Sequence, residues 1–345
     1  MDKIISKPVI TVLMAVLNGE KYIGKAIESV LSQSFTDFEL LIINDGSTDR
    51  TVEVVEKFVD PRIRLIDNVK NKGLFFTRNY GVKEAKGKYI AILDSDDVAT
   101  CNRLEIQVAF MISNPNIALC GSQASFINEN GVKTGVSDYI VGNDLAHHLV
   151  IHNIFINSTL MIKKSAIEEV GGYHDRSPAE DYDLSFRISL KYKVANLNDV
   201  FVHYREHGNN ISKLQTEKLD YAEINIIKDI FAVLNIPENE KLVRVHHDLV
   251  RFKTESTDTK EILNLLEILK HGNDLSNIYP SNVFNKMLMV KWLSVLREKK
   301  ERKIISLYFK NQLFERQFIT FKHLRIIIKQ AFLTRLFTTS LKRGG

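Results

Sequence analysis

Residues 38–58 read FELLIINDGSTDRTVEVVEKF. Phe38 to Asn44 is almost wholly apolar, as a strand covered on both faces of a parallel sheet must be. A polar turn follows, Asp45-Gly46-Ser47-Thr48, in which Ser47 or Thr48 is expected to cap a helix carrying Val52, Val54, Val55 and Phe58. Strand, turn and helix in that order are half of a βαβ unit.

The same alternation runs outward in both directions. Upstream, PVITVLMAVL (residues 8–17) predicts a buried strand, and Tyr22, Ile23, Ala26, Ile27, Val30 and Leu31 repeat with helical spacing. Downstream, a strand from Ile63 to Ile66 leads through Asn68–Gly73 to a helix from about Leu74 to Ala85. Lys88 to Leu93 then predicts a fourth strand, ending in Asp94-Ser95-Asp96-Asp97. Strands separated by helices of this length imply right-handed crossovers and a parallel core, and hence an α/β fold. Ligands of such sheets bind beyond the carboxyl ends of the strands. Four polar turns gather on that rim: Asn18-Gly19-Glu20, Asp45-Gly46-Ser47, Asn71-Lys72-Gly73 and the acidic cluster.

Three carboxylates within four residues repel one another unless a proton or cation intervenes. Hard oxygen ligands suit Mg²⁺ or Mn²⁺, whose shells are commonly completed by substrate phosphates. Alternatively, the cluster is a solvated turn before the helix that begins near Cys101. Neither GxxxxGK[ST] nor a GxGxxG after the first strand is present, which removes the main support for a P-loop NTPase or a dinucleotide-dependent dehydrogenase.

Composition narrows the class further. The chain has 345 residues, enough for about two domains, with 44% hydrophobic and 26% charged residues, ordinary values for a globular protein. Its two cysteines, Cys101 and Cys120, form no CxxC pattern, which excludes a disulfide scaffold or a cysteine-based metal site and suits a reducing compartment. The N-terminal apolar run reads as a strand rather than a signal peptide. The uncharged stretch 106–128 is interrupted by Gln107, Asn114, Pro115, Asn116 and Gln123, so a membrane-spanning helix is not expected. The net charge of +5 is unevenly placed. Residues 296–345 hold 13 Lys/Arg against three acids, +10, leaving −5 on the first 295 residues.

The stretches VITVLMAVLNGEKYIGKAIESVLSQSFTDFELLIINDGSTDRT, NKGLFFTRNYGVKEAKGKYIAILDSDD and AEDYDLSFRI, in that order, resemble the inverting family 2 glycosyltransferases. The resemblance covers roughly residues 8–215. It implies the GT-A fold, with a Rossmann-like, mostly parallel sheet flanked by helices in a catalytic domain spanning 1–215. It also implies transfer of a sugar from a nucleotide-sugar, expected to be a UDP-sugar, to a hydroxyl of a glycan or lipid-linked acceptor in surface-polysaccharide or lipopolysaccharide synthesis.

By the same resemblance, Asp45 corresponds to the aspartate that hydrogen-bonds the nucleotide base, with Glu20 close by. Lys72 and Arg78 neighbour base and diphosphate. Asp94, Ser95 and Asp96 form the DxD stretch that meets the ribose and a Mg²⁺ or Mn²⁺ ion, with Asp97 sharing ligation. His207 stands where some relatives place a metal-binding histidine, in a loop that closes over the diphosphate. Asp181 matches the general base, and Glu180 beside it positions the sugar. Acids also favour a helix's first turn, so Glu180-Asp181 can serve a helix start and catalysis together. Two departures stand out: Ala15-Val16-Leu17-Asn18 replaces the usual Pro-x-Tyr-Asn, and Ile156-Asn157-Ser158-Thr159 lacks the histidine many relatives carry before the acceptor-side strand.

Residues 216–345 read as a helical region without a catalytic constellation. Phe318–Phe337 (FITFKHLRIIIKQAFLTRLF) mixes bulky apolar residues with Lys and Arg. It reads either as an in-plane helix on an anionic membrane surface or as a helix packed on the body with a basic outer face. No nucleic-acid reader motif accompanies the charge, so no nucleic acid is expected. The expected location is cytoplasmic, peripheral at the inner face of the cytoplasmic membrane. The rival to an enzyme is a catalytically inactive nucleotide-sugar or carbohydrate-binding protein of the same fold.

Overall fold

The computed structural model describes residues 7–208 and 214–341, with side chains through residue 331. Residues 1–6 and 209–213, and the side chains of Arg335, Lys342 and Arg343 in the basic stretch, lie outside that description. Two compact units emerge: residues 1–149 with 153–222, and residues 150–152 with 223–345. The division after residue 222 falls inside a helix, a few residues beyond the 215/216 boundary suggested by composition.

The first unit begins with the alternation expected: β1 (Ile10–Val16), α1 (Ile23–Leu31), β2 (Phe38–Asn44), α2 (Thr51–Glu56), β3 (Ile63–Asp67), α3 (Leu74–Glu84) and β4 (Tyr89–Ile92). β5 (Val98–Ala99), α4 (Arg103–Ser113), β6 (Ile117–Asn128), β7 (Lys133–Val136), β8 (Met161–Lys163), α5 (Lys164–Glu169), α6 (Glu180–Ser189) and β9 (Lys193–Glu206) complete it. The strand order is β3-β2-β1-β4-β8-β6-β9-β5, with β7 beside β6. β3, β2, β1 and β4 run parallel, whereas β8 turns antiparallel to both β4 and β6. The sheet is therefore a parallel half continued by a mixed half.

Leu40, Leu41, Ile42 and Ile43 are fully buried, because helices cover both faces of β2. Each such side chain contributes about 1.5–3 kcal/mol on leaving water. The uncharged run 106–128 ends α4 and then forms β6, twelve residues long.

Ser47 and Thr48 do not cap α2. Ser47 Oγ accepts from Asn18 N at 2.8 Å, and Thr48 N donates to Asn18 Oδ1 at 2.9 Å, so both lace the β2 turn to the β1 turn. Asp49 serves the start of α2 instead, its Oδ1 accepting from Thr51 N at 3.0 Å. Connections leave β1 towards β2 on one side while β4 lies on the other. The crevice between the ends of β1 and β4 is thus the switch point where such sheets bind ligands.

The second unit is helical: α7 (Thr216–Val233, which starts in the first unit), α8 (Glu240–Val250), α9 (Thr259–Ser276), α10 (Ser281–Glu298), α11 (Ile304–Phe309) and α12 (Phe321–Leu341). Pro237 separates α7 from α8, and Asn239 caps α8 by accepting from Leu242 N at 3.1 Å. Leu265, Leu266, Leu269, Phe284, Leu288, Trp292 and Tyr308 form its core, and Trp292 Nε1 donates to Leu307 O at 3.1 Å. His246 is fully buried and its Nε2 lies 2.8 Å from Val150 O. Among the described residues no helix is long and apolar enough to cross a membrane.

Candidate active site

The rim is built by strand ends that the sheet brings side by side. Asp45, at the end of β2, is buried and accepts three hydrogen bonds of 3.0 Å: Asn68 Nδ2 and Lys72 N on Oδ1, and Gly73 N on Oδ2. An ionised carboxylate has about four lone-pair positions, so one remains, on Oδ2. Gly46 permits this clamp. Its φ is +76°, and a Cβ there would come within 2.7 Å of Asn71 N. Lys72 turns its ammonium over the Phe76 ring, 4.6 Å from the centroid. Glu20 is exposed and pairs through Oε2 with Arg50 Nε at 3.0 Å, which holds it at the outer edge of the rim. Ser95 borders the β1 turn, with its Oγ 3.4 Å from where a Gly19 Cβ would stand.

Asp94 closes β4 and is the most heavily held carboxylate of the cluster. It accepts from Arg78 Nη2 at 3.1 Å, from Asn157 Nδ2 at 3.0 Å on each oxygen, and from Ser158 Oγ at 3.0 Å. The segment noted for its missing histidine therefore supplies the donors that fix this aspartate. Asp96 turns the other way. Its Oδ2 lies 2.9 Å from His207 Nε2, and burial together with Asp94 raises its pKa despite that partner. The His207 ring rests against Tyr22 with centroids 5.2 Å apart, and Tyr22 in turn lies under the Arg205 guanidinium at 4.7 Å.

Two residues take places other than those expected. Asp97 does not reach the rim. It is 1% exposed, and its Oδ1 accepts from Arg205 N at 2.7 Å, anchoring β9 beneath the cluster. Burial, with Asp96 and Asp94 close by, pushes its pKa well up, as befits a supporting group rather than an open ligand. Glu180 is also buried, with its Oε1 bound to Arg78 Nη1, so it faces the interior of the protein rather than a sugar.

Arg78 is the bridge. From α3 its guanidinium binds Glu180 with one nitrogen and Asp94 with another. Burial alone would discourage its charge, but Glu180 and Asp94 outweigh that and hold the proton more firmly. Asp181 follows Glu180 in the first turn of α6. It accepts from Asn153 Nδ2 at 3.2 Å, and its pKa is raised to about 6 by burial and by Glu180, against the pull of Arg78. The Tyr204 phenol is pushed up by burial and then by Asp97, Asp94, Asp96 and Asp181. Arg103 stiffens the floor by donating to Ile92 O at 2.8 Å and Leu160 O at 3.2 Å, joining the β4 end to the segment behind Asp94.

Sequence reasoning did not find Asn153, Tyr22, Arg103 or Arg205. Tyr22 reads only as part of a helical repeat, and none of the four lies in an acidic or glycine-rich motif. Asn157 and Ser158 were visible only as a departure from the family pattern.

The site thus joins a carboxylate whose pKa is raised to about 6 to an acidic corner, across one buried arginine. Residues 11–171 match the model of glycosyl transferase family 2. The O-antigen biosynthesis glycosyltransferase WbnJ of Escherichia coli is 34% identical over 210 residues, covering 59% of this chain and 82% of that protein. The Escherichia coli UDP-Glc:alpha-D-GlcNAc-diphosphoundecaprenol beta-1,3-glucosyltransferase WfgD is 30% identical over 237 residues, covering 66% of this chain and 91% of its own length. Among solved structures, S. aureus TarS 1–349 in complex with UDP-GlcNAc superposes with a TM-score of 0.59 at 17% identity, covering 97% of this chain and 92% of that one, a likeness of fold. The chain belongs to glycosyltransferase family 2, with the GT-A fold.

Proposed function

We propose that the protein is a metal-dependent inverting glycosyltransferase that moves a sugar from a UDP-sugar to a hydroxyl of a lipid-linked glycan acceptor in surface-polysaccharide assembly. The observation that carries this reading is the Arg78 bridge, which ties Glu180, the residue beside Asp181, to Asp94 in the acidic corner. WfgD, named for a UDP-glucose donor and a diphosphoundecaprenol-linked acceptor, supports the substrate classes.

Asp181 accepts the proton of the acceptor hydroxyl as its oxygen attacks the anomeric carbon and the bond to the nucleotide diphosphate breaks. A pKa of about 6 leaves the group ionised at neutral pH and still basic enough to take a proton. One displacement from the face opposite the diphosphate inverts the anomeric centre. Arg78, fixed beside Asp94, adds positive charge on the side where the leaving group collects negative charge. Asp45 holds the base-side loop.

A Mg²⁺ or Mn²⁺ ion fits the donor set at the corner, because Asp96 Oδ2 and His207 Nε2 converge there and the remaining places suit phosphate and water. When bound, the ion supplies positive charge that offsets the charge developing on the departing diphosphate. Asp96 and His207 would hold it, with Asp94 left to the donor sugar.

The second unit supports a membrane-surface partner. On α12, His323 and Ile327 are buried, whereas Phe321, Leu324 and Ile328 are exposed beside the exposed Lys322, Arg325 and Lys329. One face of this helix is packed and the other is basic and apolar. Such a face suits anionic lipid, at the inner surface of a cytoplasmic membrane where lipid-linked acceptors are presented.

The deciding experiment measures UDP release from a panel of UDP-sugars with Mn²⁺ or Mg²⁺ and a diphosphate-lipid-linked acceptor. Acceptor-dependent UDP release that Asp181→Asn abolishes, with UDP binding retained, supports the reading. Tight UDP-sugar binding without transfer to any acceptor would instead identify an inactive carbohydrate-binding protein.

A further inference from the structure

We propose that Asn153 is a positioning residue for the base: its amide, locked in place by Phe155 N, aims the Asp181 carboxylate. The inference rests on the reading of Asp181 as general base and adds a residue that neither the sequence motifs nor the family comparison points to. Three contacts carry it. Asn153 Nδ2 donates to Asp181 Oδ2 at 3.2 Å. The amide cannot turn over, because Phe155 N donates to Asn153 Oδ1 at 3.0 Å and fixes which edge faces the carboxylate. The relation between the two residues is set from the other end too, since Tyr182, next to Asp181, donates its buried hydroxyl to Leu149 O at 2.7 Å.

The surroundings make this frame stiff. Leu149 and Ile154 are fully buried and Phe155 nearly so, which leaves the backbone little room to drift. A few residues further on, Asn157 and Ser158 hold Asp94. One short stretch of chain therefore carries amide donors to the base and to the donor-side aspartate alike. A misplacement of either carboxylate by even about 1 Å is costly in rate.

The electrostatic sense follows from the groups around Asp181. Burial and the Glu180 carboxylate favour its neutral form, while Arg78, the Tyr182 backbone N–H and, after them, the Asn153 amide favour its ionised form. The phenols of Tyr139, Tyr173 and Tyr204 also face it, each held in its neutral form chiefly by burial. Of the groups that favour ionisation, Arg78 is shared with Glu180 and Asp94, whereas the Asn153 side chain serves Asp181 from a separate element. Removing its amide strips the carboxylate of a donor while Arg78 keeps its place.

The test is the pH profile of kcat/KM for acceptor-dependent UDP release by the full chain, with Asn153→Ala and Asn153→Asp compared to the parent. Loss of a donor to the charged form should move the acidic midpoint of Asn153→Ala up by about one pH unit. Its activity should be depressed about fivefold at pH 6 and about tenfold at pH 5, and recover at high pH, with KM for the UDP-sugar unchanged. Asn153→Asp, which sets a second carboxylate against the first and retains the size of the side chain, should move the midpoint further upward. Midpoints unchanged in both variants, while Asp181→Asn abolishes transfer, would overturn the proposal and leave the base assignment intact. An Asp181→Asn variant with normal turnover would overturn the base assignment itself.

Discussion

Arg78 and Glu180 form a buried ion pair between residues 102 positions apart, and the same guanidinium reaches Asp94 at 3.1 Å. The pair joins α3 to the first turn of α6, so the position of Asp181 depends on an arginine in another helix. Removing one partner of a buried pair strands the other as an uncompensated charge, which typically costs about 3–5 kcal/mol. Arg78→Met should therefore lower stability by about that amount and lose transfer with it. Arg78→Met with Glu180→Gln should recover a large part of the stability but not the activity. Urea denaturation of the single and double variants measures the coupling, and additive effects would show that the two side chains do not interact.

Asp181 should set both the acidic limb of activity and a pH-dependent cost to folding. Its folded-state pKa, about 6, lies above the ordinary value of 3.8. The folded protein thus binds the proton more tightly than the unfolded chain. The group's favourable contribution is complete at and below about pH 4 and is lost as pH rises through 6, above which the ionised carboxylate destabilises by about 3 kcal/mol. Asp181→Asn should accordingly raise the melting temperature at pH 7.5 but not at pH 4, while lowering kcat by at least about 10²-fold. In the parent protein kcat/KM should climb through pH 6 and then level. A flat profile between pH 5 and 8 would contradict the assignment.

His207→Ala should weaken metal dependence rather than folding. The imidazole faces Asp96 at 2.9 Å and rests at a tilt against the Tyr22 ring. Loss of a ligand or its support commonly costs about 10–100-fold in metal affinity or activity. The Mn²⁺ concentration giving half-maximal UDP release should rise by about tenfold in the variant, and chelation should silence the parent enzyme. A half-maximal concentration unchanged by the substitution would remove His207 from the donor set.

What the sequence made legible, and what it did not, follows from the physics of each element. β1, β2 and β4 are covered on both faces, so they appear as unbroken apolar runs, and the acids after β4 stand out against them. Asp181 was visible through the family resemblance of Ala179-Glu180-Asp181, since an acidic first turn alone serves a helix start equally well. β6 and β9 were not foreseen. They carry Gln123, Asn128, Asn196 and Asp199 among their apolar residues, and their partners are remote in sequence. Asp97 and Glu180 share the composition of their acidic neighbours, and only burial separates the supporting carboxylates from those that face the pocket. Asn153 lies between a 3₁₀ turn and a buried loop, where no periodicity exists to mark it.

The exposed face of α12 leads to a prediction about attachment. Phe321, Leu324 and Ile328 lie three and four residues apart and so share one side of the helix, with Lys322, Arg325 and Lys329 alongside. Each cation near an anionic bilayer contributes about 1 kcal/mol, and that share fades within a Debye length as salt rises. The apolar side chains add a part that salt does not remove. The protein should therefore sediment with vesicles containing phosphatidylglycerol and much less with pure phosphatidylcholine vesicles, with binding reduced but not abolished at 0.5 M NaCl. Lys322→Glu with Arg325→Glu should eliminate the difference between the two lipids, whereas Phe321→Ser with Ile328→Ser should lower binding to both. Because all four positions are exposed, transfer to a short soluble acceptor should survive either pair of substitutions. Equal sedimentation of the parent with both lipids at low salt would show that this face has another partner.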